Sequence, residues 1–430
     1  MESESSLRQR KPDQKPDNEE TKSQSDSPKK RRRKLKPPTI VDRSCSLLKF
    51  VIYTVMFGVF FVCSITLFIA LVIPDKIHAT TFNAPTPRPF TGALAPNTRL
   101  QDVERLFEGQ VSGAESFAMQ KGVIYTGTHD GKIIRIKDGK ISTVATFGNK
   151  PCGLEENEHI CGRPLGLKFE SENQLLVADA YLGIFRLNVK TGKFKHLVEN
   201  DRSAKGVYFK FFNDIVKGSD RTIFFTDSSH KWQRREFGYI IMENENCGRV
   251  SWFDEKTNQM DSFLNKAYFP NGMAIGPDGE YLLFCETTRF RVHKYYLKGE
   301  KAGQTETFIS NLPGFPDNIS PSSSGGFWIG LAYPGARSGS MPVIDFLYQH
   351  PWIRNMIAKV IDPRTLFRFI PKYGLIIEVN QKGEIVQSLH DPTGEVVSSV
   401  SEVLDTGNEL YLGSFGGNYI GRLNLRKSKN

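Results

Sequence analysis

At 430 residues the chain is long enough for two or three domains, but large all-β folds also reach this size as one unit, so length excludes little. A formal charge of +10 invites a nucleic-acid reading. Residues 1–43, however, hold 13 Lys/Arg against 8 Asp/Glu, which is half the excess in a tenth of the chain, so the remainder is only mildly basic and no nucleic-acid partner is expected.

Residues 1–49 are rich in Ser, Pro, Lys and Glu and poor in large apolar side chains. Such a segment cannot bury enough surface to offset its ordering entropy, and a disordered basic tail is expected. From Phe50 to Ile73 there are 24 residues without a charge, enough at about 1.5 Å per residue to cross a hydrocarbon core of about 30 Å. The stretch is too long and too far from the start for a cleaved signal peptide. The run Lys29 to Lys36, with Arg43 and Lys49, precedes it, whereas only Lys76 closely follows it. The positive-inside rule then predicts a single-pass type II protein: N-terminus cytosolic, the rest lumenal or extracellular, in the endoplasmic reticulum, the plasma membrane or both. The basic run would meet anionic lipid head groups.

Cys45 and Cys63 lie at or in the apolar segment, leaving Cys152, Cys161, Cys247 and Cys285 in an oxidising compartment. Cys152 and Cys161 bracket a polar stretch and are expected to pair. A zinc site is the alternative, but no second Cys/His pair stands at ligand spacing.

After a Pro-rich connector, 74–97, a phrase recurs: a short β-branched or aromatic run, a small or acidic residue, a loop and a second apolar run. It begins at Val123, Leu175, Ile223, Leu282, Phe327 and Leu410, spaced by roughly 45 to 59 residues except for a last interval of 83. Six copies of a unit that cannot cover its own apolar faces predict an all-β, six-bladed β-propeller over 98–430. A two-sheet sandwich would have no reason to repeat with this period. Residues 76–112 are expected to supply a ring-closing strand. The long interval holds an apolar insert, 341–371, in which Phe346, Ile353, Ile357 and Val360 recur near helical spacing and Pro351 separates two short helices. It either packs on the propeller's side or forms an amphipathic cover over one mouth, exposing Trp352 and Phe346 and setting Arg354, Lys359, Arg364 and Arg368 on lipid head groups.

Glu115, Asn213-Asp214, Asn271 and Asp317-Asn318 stand beside strands of different repeats, in apolar surroundings. Radial symmetry would bring them to one axis, where carboxylates and amide oxygens form the all-oxygen set that Ca²⁺ prefers. The alternative is that each only caps a turn.

The phrases Phe-Phe-Asn-Asp-Ile-Val (211–216), Cys-Gly-Arg-Pro-Leu-Gly-Leu (161–167) and Phe-Pro-Asn-Gly (269–272) resemble the strictosidine-synthase-like family, related to paraoxonases and gluconolactonases. The resemblance implies one Ca²⁺ in a central channel, held by Glu115, Asn213, Asn271, Asp317 and Asn318. It also sets Asp214 on a second, structural metal position, where Ser116 replaces an acidic neighbour. Paraoxonases keep a channel histidine where this chain reads Ala178-Asp179-Ala180-Tyr181, so Asp179 becomes a candidate for the water-activating role. Glu402, which matches a glutamate of strictosidine synthases, and a metal-bound hydroxide are the others. The expected activity is Ca²⁺-dependent hydrolysis of small hydrophobic aryl esters or lactones. The alternatives are a non-catalytic, calcium-stabilised interaction module with an unknown protein partner, and a strictosidine-type condensation. No Gly-x-Ser-x-Gly or His-Glu-x-x-His motif supports another hydrolase route.

Overall fold

The computed structural model describes residues 40–218, 221–337 and 342–426. The expected basic tail therefore lies outside the described residues up to position 39. Helix α1 runs Ile40–Val72, and within it Leu47–Val72 is long and apolar enough to cross a membrane. The helix thus starts ten residues before the uncharged stretch, because adding residues to a formed helix is cheap once its nucleus exists. The chain divides into two units at Ile65/Thr66.

The second unit is a six-bladed propeller of four-stranded antiparallel blades. Blade one comprises β2 (Phe117–Gln120), β3 (Val123–Gly127), β4 (Lys132–Lys137) and β5 (Lys140–Thr146), after the short β1 (Glu104–Leu106). Blade two is β6 (Pro164–Ser171), β7 (Gln174–Asp179), β8 (Gly183–Asn188) and β9 (Phe194–Glu199). A small hairpin, β10 (Ser203–Ala204) and β11 (Val207–Tyr208), leads to blade three: β12 (Phe212–Lys217), β13 (Thr222–Asp227), β14 (Gly248–Asp254) and β15 (Gln259–Ala267). Blade four is β16 (Pro270–Ile275), β17 (Tyr281–Glu286), β18 (Arg291–Tyr296) and β19 (Thr305–Ile309). Blade five is β20 (Phe315–Pro321), β21 (Phe327–Ala332), β22 (Gly374–Val379) and β23 (Ile385–Asp391). The last blade has only β24 (Val403–Asp405), β25 (Glu409–Leu412) and β26 (Ile420–Asn424) from the C-terminal end. Its fourth strand is β1, with Glu104 opposite Arg422 and Leu106 opposite Ile420, so the expected ring closure falls on the sixth blade. Aliphatic and aromatic side chains between blades form the core, as sheets with two apolar faces require.

Short helices α2 (Glu158–Cys161) and α3 (Phe237–Glu243) sit on interstrand loops, and Cys152–Cys161 is a disulfide that holds α2. The insert joins β21 to β22 as α4 (Val343–Gln349), α5 (Pro351–Val360) and α6 (Pro363–Phe367), with Pro351 opening α5. Its apolar spacing does not mark one buried face. Phe346 and Val360 are exposed, while Ile344, Tyr348 and Phe367 join the main core. Two of its basic residues also depart from the expectation of lipid contact. Arg354 is fully buried and donates to the carbonyls of Thr80 (2.6 Å), Leu347 (2.8 Å), Tyr348 (3.2 Å) and Met242, because a guanidinium can gather carbonyls that lack ladder partners. Lys359 is buried as well, and Arg364 pairs with Glu155 and Asp362. The connector is pinned rather than loose: Thr80 N–H donates to Glu243 O and Phe82 N–H to Tyr348 O.

Candidate functional site

The first strand of each blade lines the axis, and in four of them the ladder slips at the same place. Register shifts fall between Pro164 and Leu167, Phe212 and Ile215, Pro270 and Met273, and Pro316 and Ile319. The two residues inside each shift are Leu165-Gly166, Asn213-Asp214, Asn271-Gly272 and Asp317-Asn318. A β-bulge frees side chains from strict alternation and re-aims them, which is how consecutive polar residues escape the blade interior. The second bulge residue alternates between glycine and a side chain around the ring. A Cβ on Gly166 would lie 2.7 Å from Asp214 Cα, and one on Gly272 would lie 2.3 Å from Asn318 Cα.

Glu115, Asn213, Asn271 and Asp317 meet on an inner cavity of about 50 Å³, walled by Phe211, Phe269, Phe315 and Ile241. It is roomy enough for an ion or a few waters. Arg234, Phe237, Tyr333 and Phe415 line both it and an outer vestibule of about 730 Å³. Two of the inner aromatics have left-handed backbones, Phe269 at φ 54° and Tyr333 at φ 45°, a strain that persists only where the surroundings enforce it.

Burial pushes the Glu115 carboxyl above its ordinary range despite Arg163, whose Nη2 is 3.4 Å from Glu115 Oε2. Burial, then the charge of Glu115, pushes Asp317 well above its own. Asn213 Nδ2 donates to Ser228 Oγ at 2.9 Å and Asn271 Nδ2 to Thr287 Oγ1 at 3.3 Å. Those hydroxyls in turn donate to Pro270 O and Pro316 O of the next blade. The buried Oδ1 atoms of Asn271 and Asn318 have no hydrogen-bond partner among the described residues. Two repelling carboxylates beside unpartnered amide oxygens fit a hard divalent cation, which needs oxygen donors and relieves the repulsion. Among the described residues no three His, Cys, Asp or Glu cluster as a metal site; the axial set instead combines two carboxylates with amide oxygens.

The other candidate residues do not line the inner cavity. Asn318 is buried beside the inner cavity's residues but does not line it. Asp214 accepts the N–H of Met273 (2.6 Å) and of Ile215, inside the wall. Glu402 is buried, accepts the N–H of Val403, lines neither cavity, and is pushed up to about 7 by burial. Asp179 also lines neither: its Oδ1 accepts the N–H of Tyr181 and Leu182, both at 3.0 Å. Asp227 and Glu286 end the matching strands of blades three and four and likewise accept backbone N–H groups, of Phe211 and Tyr268. Asp179 thus stands at the strand-end structural acid position of its repeat, with its Oδ2 buried and without a hydrogen-bond partner among the described residues.

Several participants escaped the sequence reading. Ser228 and Thr287 each follow that structural acid by one residue, a signal present in the repeats. Arg234 donates to Glu158 Oε1 at 2.7 Å, and His129, on the vestibule wall, has its Nδ1 3.3 Å from the same oxygen. Burial raises the Glu158 carboxyl, but Arg234 together with the hydrogen bonds from His129 and Tyr181 and the charge of Arg163 outweighs it and holds the group at about 2. No local pattern links residues 129, 158 and 234.

The fold and site define a six-bladed β-propeller with a polar axial centre. The family model for strictosidine synthase matches residues 214–300, and that for strictosidine synthase-like, N-terminal, matches 92–136. The adipocyte plasma membrane-associated protein of Danio rerio is 42% identical over 362 residues, 84% of this chain and 87% of that one. Its Homo sapiens counterpart is 41% identical over 336 residues, covering 78% and 80%. The chain belongs to the adipocyte plasma membrane-associated protein family. Among solved structures, a gluconolactonase from Xanthomonas campestris is similar in fold at 16% identity and a TM-score of 0.51, covering 82% of this chain and 99% of that one.

Proposed function

We propose that the chain is a membrane-tethered, Ca²⁺-dependent hydrolase of small hydrophobic aryl esters or lactones. The observation that carries this reading is the convergence of Glu115, Asn213, Asn271 and Asp317 on the lining of one cavity together with Phe211, Phe269 and Phe315. These residues, with Asn318, would hold the ion. When bound, it would supply a positive charge that polarises a carbonyl oxygen.

The remaining work falls to side chains. Phe211, Phe237, Phe269 and Phe415 bind an apolar acyl or aryl group and exclude water, which strengthens every charge interaction inside. Burial pushes the Tyr333 phenol up to about 12, so near neutral pH it keeps its proton and can donate to a developing oxyanion, as can Arg234. His129, oriented by the carboxylate of Glu158, is the proton acceptor facing the vestibule. Water attacks the carbonyl carbon as His129 takes its proton. The bond to the leaving aryloxide, or to the ring alkoxide of a lactone, then breaks and the proton passes to that oxygen, giving acid and phenol or a single hydroxy acid.

His129→Gln is expected to lower kcat for phenyl acetate by roughly 100-fold or more, whereas Glu402→Gln changes it little. The opposite result would return the role to Glu402.

A further inference from the structure

The insert is fastened to the place where the apolar helix ends. Lys359, in the last turn of α5, directs its Nζ to the carbonyl oxygens of Ala70 (2.9 Å) and Ile69 (3.4 Å) and lies 3.3 Å from Asp75 Oδ1. The last carbonyls of a helix have no partner within it, so the ammonium caps α1 as well as pairing with the acid that follows. Ile77 packs beside Ala358 and Met242, fixing the same junction.

The exposed flank of α5 is apolar. Trp352 (63% exposed), the half-buried Met356 and Val360 (50% exposed) follow one another at i, i+4 and i+8, and so form one line along a helix of about 15 Å. Lys359 is seven residues from Trp352 and three from Met356, which puts the capping contact and the apolar line on the same flank. Arg354 and Ala358 take the buried one. Phe346 and Phe369, 52% and 79% exposed, extend the apolar surface on either side of α5 in sequence.

We propose that α5 lies on the surface of the bilayer that α1 crosses, with the Trp352–Met356–Val360 line in the interfacial layer. The inference rests on reading α1 as a membrane span. If Leu47–Val72 occupies the hydrocarbon core, then Ile69, Ala70 and Asp75 stand at its edge, and Lys359 holds α5 there. Ten residues are too few to span but suffice to lie flat, and tryptophan favours the depth where an apolar ring meets head groups. Because Arg354 and Lys359 are both engaged within the protein, the attachment is apolar rather than electrostatic.

The test uses the full-length chain in phosphatidylcholine vesicles whose acyl chains carry bromine, a short-range quencher of tryptophan. Wild type is expected to show a quenched component that Trp352→Phe removes, unchanged when phosphatidylserine is added. Equal quenching of wild type and Trp352→Phe, with both chains still vesicle-bound, overturns the proposal alone. A chain that does not stay with the vesicles overturns the reading of α1 too. If Trp352→Glu instead dissociates a dimer in detergent while quenching is unaffected, the flank is covered by a second copy and the proposal is wrong.

Discussion

At the scale of single residues, the axial site makes the sharpest demands. If Glu115 and Asp317 share a divalent cation, binding stabilises the folded chain by mass action, about 2.7 kcal/mol at a hundredfold excess over Kd. Asn271→Ala and Asp317→Ala should therefore lose most of the calcium-dependent rise in Tm. Equal melting of wild type and variants with and without Ca²⁺ would remove the site. Asn318 opens the sequon Asn318-Ile319-Ser320, yet only 3% of its surface is exposed and its N–H donates to Ser401 O, so no glycan is expected there. Glycosidase treatment of the protein from a secretory host should leave its mass unchanged. His390 concerns pH. It is buried between Tyr373 Oη (2.8 Å) and Ser388 Oγ (2.7 Å), edge-on to Phe90, and burial lowers its pKa to about 4. Between that value and about 6.5 the unfolded chain binds a proton that the folded chain does not, so stability is lost as pH falls through this window. His390→Gln should flatten the pH dependence of unfolding there by an amount on the order of 2 kcal/mol.

At the scale of elements, the insert shows what periodicity can miss. Its helices and the break at Pro351 were legible from spacing and from proline's missing N–H, but the burial of Arg354 and Lys359 was not. A lone basic residue on a short helix carries no local sign that distant carbonyls, at Thr80 and Met242 for one and at Ala70 for the other, will need a donor. Arg354→Met leaves those carbonyls unpaired and should cost roughly 3 kcal/mol in urea unfolding, a loss absent from an exposed control such as Arg368→Met. The blade strands were legible for the opposite reason: six copies of one pattern repeat, and the polar pairs Asn213-Asp214 and Asp317-Asn318, with Asn271-Gly272, recur at matching offsets, although nothing in the sequence marks them as bulges. Asp179 occupies the strand-end position that Asp227 and Glu286 hold in the next two blades, a correspondence that only alignment of the repeats reveals. His129 and Arg234 were hidden because they meet only through Glu158, on a helix that a disulfide secures to a loop outside the repeat.

At the scale of the whole molecule, the ring is closed by β1 pairing with the last strand, which lets the first strand of every blade face one axis. That a strand from residues 76–112 closes the ring is legible in the sequence, but which blade receives it is not: the structure shows it covering the open edge of a last blade that otherwise has three strands. What the axis does is the central claim, and hydrolysis of phenyl acetate by the purified full-length chain in detergent tests it most directly. The account predicts turnover that EDTA abolishes, that added Ca²⁺ restores, and that Asp317→Asn lacks in either condition. Turnover that persists undiminished in EDTA, or none above the buffer rate with Ca²⁺ present, would contradict it.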